Sequence, residues 1–282
     1  MGEDLEAVIF RVFDIPPMPP VAARVVRAAE DESKSASDLA EIISTDPGLV
    51  AKILRIANSS LFARAEKAES LQQAIVALGF KTVKNLAIAA SARTLGRRPG
   101  PVEDDLWRHS VGVAVTASCI AMECRRLTAD EAFTAGILHD VGKFILHQHD
   151  AERYEEVLRL RRERHMTSVA AEFEVFGFDH AAVGAAVLRR WGLPDTLAGA
   201  VRFHQNIMVL RQARQEILTL AACTNLANRI AYTLKFGVDL PYVDSGDTQE
   251  AAVKVLGMNP EGLLKVVQDA RDLYEQELAA FG

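Results

Sequence analysis

Four histidines and one aspartate in the second half of the chain are residue types found in divalent-metal sites. They are His109 in LWRHS, His139 and Asp140 in GILHDVGK, His180 in GFDHAAVG and His204 in VRFHQ. Each interval between successive histidines is long enough for a helix and its return, so the imidazoles can converge in the core of a helical bundle. Imidazoles with one or two carboxylates suit iron, manganese or zinc. Such an ion acidifies bound water and holds a phosphoryl oxygen, which is the chemistry of phosphate-ester hydrolysis.

The His139-Asp140 pair lies in a segment that is apolar almost all round, from Ala135 to Leu146. A helix of this kind is buried, and an unpaired histidine and carboxylate inside it are energetically costly. A bound metal would satisfy the pair, and so would a buried salt bridge between Asp140 and Lys143, one turn later. Each histidine also has the ordinary alternative of a hydrogen bond to a carbonyl group or to solvent, and the sequence leaves these alternatives open. The remaining histidines lie among charged residues and are expected in solvent: His147, His149 and His165.

The elements that would position these side chains are helices. Apolar residues recur at helical spacing along almost the whole chain without a convincing strand pattern, so the fold is predicted to be all-α. In the first hundred residues the helices are short: Ser35 with Asp38 resembles a capping box, Pro47 begins a helix, and Gly79 ends one. Longer helices are predicted over residues 106–126, 129–148, 180–191, 215–235 and 261–280.

A change in composition divides the chain into two predicted subdomains. Between Gly96 and Asp105 the sequence GRRPGPVEDD loses its apolar period and contains two prolines, two glycines and several charges. Such a composition is typical of a linker or an exposed loop. We therefore predict an N-terminal helical subdomain over residues 1–96, a linker over 97–105, and a helical bundle with the C-terminal helices over 106–282.

The overall composition argues against several classes of partner. A formal net charge of -6 gives no basic field to attract nucleic acid or anionic lipid, so neither is an expected partner.

No apolar run approaches the ~20 residues that a membrane span needs, and the acidic start MGEDLEAVIF does not resemble a secretion signal. The three cysteines lie within apolar helical patterns, as is typical of buried, reduced thiols. A cytoplasmic location is expected.

Several segments resemble a known family. GILHDVGKFIL resembles the signature of the HD superfamily of metal-dependent phosphohydrolases, and DPGLVAKILRIANSSLF and QAIVALGFKTVKNLAI resemble helices of the HDOD family, the HD-related output domains. LWRHS, GFDHAAVGAAVLRRWGLP and LANRI are also similar to segments of that family, so the resemblance extends from about Ile15 to Arg229. It implies an N-terminal helical half packed on an HD-like bundle.

The resemblance also implies roles for individual residues. His109 matches the first ligand of the HD pattern, His139 and Asp140 match its central pair, and two more histidines match the additional ligands of two-metal relatives: His180 and His204. The last ligand position of the HD pattern differs in this chain. Catalytic HD proteins have aspartate there, whereas LANRI has Asn228. An amide oxygen is a weaker ligand than a carboxylate, which reduces the expected affinity for a metal. The Gly-Tyr-Pro motif of cyclic-di-GMP phosphodiesterases does not follow His204.

Three functional hypotheses follow from the resemblance. The leading one is a bacterial signal-transduction protein that acts through contacts with a signalling protein and keeps a degenerate HD metal pocket, because HDOD proteins are mostly regarded as non-catalytic. The second is a metal-dependent phosphohydrolase for a nucleotide or another phosphate ester, in which Lys143 assists at the phosphate. The third is a sensor that binds a nucleotide in the same pocket without turnover.

One further motif is interpreted as structural. In ANSSLF, Asn58 and Ser59 follow an apolar helix, where short polar side chains bind the free backbone groups at the helix end.

Overall fold

A computed structural model describes residues 5–62, 67–93, 95, 100–210, 214–238, 240, 242–243 and 248–281. All regular structure in these residues is helical, as the sequence predicts, and it comprises sixteen α-helices and one short 3₁₀-helix. The first six α-helices are α1 (Leu5–Val12), α2 (Pro20–Ala29), α3 (Ala36–Ser44), α4 (Pro47–Ala57), α5 (Leu71–Leu78) and α6 (Phe80–Arg93). The next five are α7 (Pro101–Cys124), α8 (Ala129–Leu138), α9 (Val141–His149), α10 (Ala151–Arg164) and α11 (Ser168–Phe176). The remainder are α12 (His180–Arg190), α13 (Asp195–Phe203), the 3₁₀-helix (Ile207–Leu210), α14 (Gln215–Thr233), α15 (Thr248–Leu256) and α16 (Pro260–Phe281).

Local sequence signals set the helix ends in the first half. Ser35 and Asp38 form the predicted capping box at the start of α3, and Pro47 occupies the first turn of α4. Gly79 ends α5 with a φ of 81°, a conformation that favours glycine. The side chain of Asn58 donates to the carbonyl of Leu54 at the end of α4, so the predicted backbone contact of Asn58 is confirmed.

The central helix α7 begins five residues earlier than predicted. Gly100 is its N-cap, Pro101 its first residue, and Glu103 and Asp104 fill the first turn. Proline and acidic residues are favoured in a first turn, where proline's missing N–H is not needed and a negative charge faces the positive helix end. Residues 101–105 of the predicted linker are therefore helical, while residues 96–99 lie outside the described residues. The division into two subdomains stays a prediction.

The predicted helix over residues 129–148 is interrupted at His139 and Asp140, which form a turn between α8 and α9. Gly142, just inside α9, allows this segment to approach the start of α12. A Cβ at Gly142 would lie only 2.0 Å from the carbonyl oxygen of His180. Gly142 thus permits a backbone contact that brings the His139-Asp140 pair beside His180.

One continuous hydrophobic core extends through both halves of the chain. It includes Leu39 and Ile53 from the N-terminal half and Val113, Leu138 and Leu226 from the second half. Helix α7 lies at its centre and packs against α8, α14 and α16. Because these helices are buried together, side chains from distant parts of the sequence can meet in the interior.

No single helix of the described ranges is long and apolar enough to cross a membrane; α5 and α6 pass that test only as a pair bent by 112°. The three cysteines are unpaired thiols, and burial raises the pKa of Cys119 to about 12. Cys119 is therefore protonated and poorly reactive at neutral pH.

Candidate metal centre

Four segments contribute the predicted ligands. His109 comes from α7, His139 and Asp140 form the turn between α8 and α9, His180 begins α12, and His204 directly follows α13. All five residues are fully buried. The structure brings them into one cluster, which the sequence intervals allowed but did not require.

Asp140 lies at the centre of the cluster and presents one carboxylate oxygen to each side. Its Oδ1 is 3.2 Å from Nε2 of His180 and 3.9 Å from Nε2 of His204. Its Oδ2 is 3.3 Å from Nε2 of His139 and 3.9 Å from Nε2 of His109. These atoms form two overlapping three-residue groups that share Asp140, each with its ligand-type atoms within 4.8 Å of one another. The cluster is therefore able to hold a metal ion.

Each of the four imidazoles has an acceptor beside its Nδ1 atom. The Nδ1 partners are Phe236 O for His109 at 3.1 Å, Gly136 O for His139 at 2.7 Å, Glu172 Oε2 for His180 at 2.5 Å and Val201 O for His204 at 2.7 Å. A carbonyl or carboxylate oxygen accepts, so each Nδ1 carries the proton and donates it. A neutral imidazole in this form presents a lone pair at Nε2, which is the form that binds a metal.

The electrostatic environment favours the neutral form of His109 and His204 and the charged form of Asp140. Burial lowers the pKa of His109 to about 3, and the neighbouring His139 acts in the same direction. Burial likewise lowers the pKa of His204 well below its ordinary range. Burial alone would raise the pKa of Asp140, but His139, Lys143 and His180 outweigh it and hold that pKa well below the ordinary value. The cluster therefore combines lone pairs with one negative charge.

The residues fit a metal because part of the cluster is otherwise unsatisfied. Across the described ranges, His139 Nε2 and Asp140 Oδ1 have no hydrogen-bond partner, although both are fully buried. A buried acceptor without a donor costs about 1–3 kcal/mol. A cation between these atoms would remove that cost. Imidazole nitrogens with a carboxylate oxygen suit iron, manganese or zinc.

The alternative salt bridge predicted for Lys143 is also present. Its Nζ lies 2.6 Å from Asp140 Oδ2, and both side chains are buried. Burial opposes the charged form of Lys143, but the negative charge of Asp140 outweighs it and raises the pKa of the lysine. The salt bridge engages Oδ2 and leaves Oδ1 without a donor. The two sequence-based explanations of the pair are therefore compatible.

Asn228 occupies the position of the missing aspartate. It lies on α14 with 1% of its surface exposed, and its Oδ1 is 2.9 Å from His109 Nε2. His109 donates its Nδ1 proton to the carbonyl oxygen of Phe236, so its Nε2 carries a lone pair. That lone pair faces a lone pair of Asn228 Oδ1. A cation between them would make the contact favourable. Without one, the amide would have to turn and donate its N–H to Nε2.

Two residues that contact the cluster were not identified from the sequence. Glu172, on α11, is fully buried and accepts from both the backbone N–H and Nδ1 of His180. Gln205 places its side-chain nitrogen 2.9 Å from His204 Nε2. A charged residue between the apolar Ala171 and Phe173 was the available signal for Glu172. Helix α11 also contains the exposed Glu174 in a similar position, so the signal was weak.

One expectation about the other histidines is wrong. His147 is 8% exposed rather than in solvent, and its Nδ1 lies 2.8 Å from Glu103 Oε1. The early start of α7 places Glu103 on a helix that packs against α9, so a residue from the predicted linker is a buried partner of His147. His149 and His165 are exposed as expected.

A cavity of about 630 Å³ opens onto one side of the cluster. Its inner wall contains His109, Asp140 and Lys143, and its outer part includes Arg162 and His165. This volume lies within the ~300–1,000 Å³ range of small-molecule pockets. A small molecule in the cavity can therefore reach the cluster.

The helical fold and the buried histidine cluster around Asp140 define an HD-type protein. The sequence matches the HDOD domain family over residues 15–207, more than half of the chain, and the chain belongs to that family. An HDOD domain protein of unknown function from Geobacter sulfurreducens has a similar structure, with a TM-score of 0.72 at 23% identity over 98% of this chain and 91% of that one.

Two further proteins are similar to this chain. A structure from Shewanella amazonensis SB2B that is named as a phosphohydrolase has a TM-score of 0.73 at 22% identity, over 96% of this chain and 97% of that one. A curated relative, an uncharacterized protein of Treponema pallidum (strain Nichols), is 25% identical over 224 residues, or 78% of this chain. The chain spans 43% of the length of that relative. The similarity to the solved structures supports the fold.

Proposed function

We propose that the chain is a bacterial regulatory protein that holds a divalent metal in its HD pocket and transmits a signal through contacts with a protein partner. The metal would be iron, manganese or zinc, held by the cluster of His109, His139, Asp140, His180 and His204. In this role the metal-bound pocket is a structural and sensory element, and turnover of a substrate is not required.

The observation that carries the metal assignment is the shared orientation of the four imidazoles. All four donate from Nδ1 to a fixed acceptor and direct Nε2 toward Asp140. Four unrelated core histidines, each satisfied separately, would not present the same nitrogen to one carboxylate. Partners at Nδ1 fix the ring orientation of metal-binding histidines and increase their basicity.

Two residues of the pocket, Asn228 and Lys143, are unfavourable for catalysis. The amide of Asn228 supplies no negative charge, so a bound metal is compensated by Asp140 alone among the HD-pattern positions. Lys143 already engages one oxygen of that carboxylate. Both features reduce the negative charge that compensates the metal, so the metal is held less tightly than in a pocket with two carboxylates. Members of the HDOD family are mostly regarded as non-catalytic, which agrees with this proposal.

A metal-dependent phosphohydrolase is the second candidate, and the cavity beside the cluster favours it. A phosphate ester in that cavity would have access to the cluster and to the Lys143 ammonium group. A metal there would supply an activated water molecule and hold a phosphoryl oxygen. The name of the Shewanella amazonensis structure agrees with this candidate.

Metal analysis and an activity screen on the same preparation separate the two candidates. The protein is loaded with manganese, iron or zinc, desalted, and analysed by plasma mass spectrometry. We expect bound metal in the unmodified chain, loss of metal in His139→Ala, and no loss in His149→Ala, a matched change of an exposed histidine nearby. Absence of metal from the unmodified chain would refute the metal assignment.

The activity screen uses phosphomonoesters and cyclic nucleotides with each metal. We expect no turnover above background. A rate of about 1 s⁻¹ or faster, within the ordinary range of enzymes, would refute the non-catalytic proposal and establish the phosphohydrolase. Partner contact is tested separately by crosslinking in bacterial cells. The proteins crosslinked to the metal-loaded chain are compared with those crosslinked to His139→Ala.

A further inference from the structure

The four ligand nitrogens of the cluster are not equally accessible to a metal. His139 Nε2 has no hydrogen-bond partner among the described residues. The side-chain amide nitrogen of Gln205, in contrast, lies 2.9 Å from His204 Nε2 and 3.5 Å from His180 Nε2. One side of the cluster is therefore covered by a polar group from the chain itself.

The tautomers of these two histidines determine which end of the amide faces them. His204 donates its Nδ1 proton to Val201 O, and His180 donates its own to Glu172 Oε2. Each Nε2 therefore carries a lone pair, which an amide oxygen would repel and to which an amide NH2 group can donate. Because that group has two protons, the one side chain of Gln205 can serve both nitrogens.

The same two nitrogens form, together with Asp140 Oδ1, one of the two groups able to hold a metal. An imidazole lone pair binds either a proton donor or a metal ion, and a metal lies only ~2.0–2.1 Å from the nitrogen. The NH2 group of Gln205, 2.9 Å from His204 Nε2, would direct its proton at that ion. A metal in this group must therefore displace the NH2 group.

The fold lets the side chain of Gln205 move while the ligand before it stays in place. The carbonyl oxygen of His204 accepts from Asn225 Nδ2 at 2.7 Å, which fixes the backbone at the ligand. Gln205 is half-buried and lines a surface groove of about 510 Å³ beside Phe173 of α11. Phe173 is 64% exposed. Gln205 thus lies between the cluster and the surface, with space on its outer side.

We propose that Gln205 is a displaceable cap on the metal site. In the metal-free protein its amide donates to His204 and His180, and a metal that binds these histidines turns the amide out into the groove beside Phe173. This inference rests on the proposed metal-dependent regulation and deepens it, because it names the side chain through which metal occupancy changes the surface.

Metal affinity gives the first test, because a cap competes with the metal. Gln205→Met keeps the length of the side chain without the donor, Gln205→Ala removes both, and Gln72→Met is the matched change of an exposed glutamine on α5. Calorimetric titration with zinc and manganese measures all three variants and the unmodified chain. We expect both Gln205 variants to bind metal about tenfold more tightly, the factor that one or two neutral hydrogen bonds represent. Gln72→Met should bind as the unmodified chain does.

A different role of Gln205 would give a different result. If its amide oxygen were a metal ligand, or if the residue only supported the fold, its loss would weaken metal binding or leave it unchanged. Equal or weaker binding in both Gln205 variants therefore overturns the proposal. If one variant does not fold, the other decides.

Fluorescence tests the movement of the side chain. Phe173→Trp places a reporter in the groove, and zinc is the metal used because it has no unpaired electrons to quench emission. The native tryptophans, Trp107 and Trp191, are measured as background in the unmodified chain. We expect zinc to change the emission of Phe173→Trp, and we expect no such change when Gln205→Ala is present in the same chain. An equal response in both proteins, or no response in either, overturns the link to the surface.

These outcomes are distinguishable from failure of the proposed function. An unmodified chain that binds metal as tightly as Gln205→Met and Gln205→Ala retains the metal assignment and loses this inference. Metal uptake by the Gln205 variants alone supports the cap and refutes metal binding by the unmodified chain. Absence of uptake from all of these proteins overturns both.

Discussion

Replacement of Asn228 by aspartate tests whether this position is a metal ligand. The two side chains are nearly isosteric, and Asn228 Oδ1 already lies 2.9 Å from His109 Nε2. In Asn228→Asp a charged oxygen would face the same lone pair. We expect metal affinity to rise by at least the ~10–100-fold that changes around a metal site commonly produce.

The same substitution should destabilise the metal-free protein. Asn228 is 1% exposed, and an added buried carboxylate that faces the Nε2 lone pair of His109 costs about 2–3 kcal/mol. At about 2–4 °C per kcal/mol for a chain of this size, the melting temperature should fall by roughly 5–10 °C. Added metal should reverse this loss, because a ligand that binds only the folded state stabilises it.

Asn228→Ala is the matched comparison, and calorimetric titration with manganese and zinc measures both variants. If the amide oxygen is a ligand, the alanine variant should bind metal more weakly than the unmodified chain. If the amide instead donates its N–H to His109, alanine should leave the affinity almost unchanged. Unchanged affinity in both Asn228→Asp and Asn228→Ala would refute the role of this position in metal binding.

Four further changes test other parts of the structure. Lys143→Met removes the ammonium group that lies 2.6 Å from Asp140 Oδ2 and should lower the stability of the metal-free protein by about 3–5 kcal/mol in denaturant unfolding; an unchanged midpoint would contradict the buried salt bridge. Glu172→Gln weakens the acceptor of the His180 Nδ1 proton and should reduce metal affinity by about 10–100-fold, whereas unchanged affinity would exclude a supporting role. Asn58→Ala removes hydrogen bonds to the carbonyls of Leu54 and Ala68 and should cost about 1 kcal/mol, seen as a lower melting temperature; an unchanged one would argue for an interaction motif. Burial raises the pKa of Glu277 above its ordinary value of 4.5, so the folded state holds this proton more tightly, and the contribution to stability is complete below about pH 4.5 and lost as the pH rises through the folded pKa. Glu277→Gln should remove this part of the pH dependence of the melting temperature, and an identical pH profile would contradict it.

The all-α class and many helix ends could be predicted because they depend on local chemistry. The spacing of apolar residues follows the helical period, and Ser35, Asp38, Pro47 and Gly79 act on backbone groups within a few residues of themselves. The start of α7 was missed for a related reason. Proline and acidic residues occur both in linkers and in first helical turns, and only the packing of the following helix distinguishes the two.

The sequence also determined which residues could form the site, because histidine and aspartate are chemically capable of holding a metal wherever they occur. Whether they meet was decided by the tertiary structure. The turn at His139 and Asp140 depends on the contact of Gly142 with His180, and the Nδ1 partners of His109 and His180 are acceptors outside their own helices, Phe236 O and Glu172 Oε2. Local patterns specify helices and their chemistry, whereas contacts between residues far apart in the chain exist only after the helices have packed.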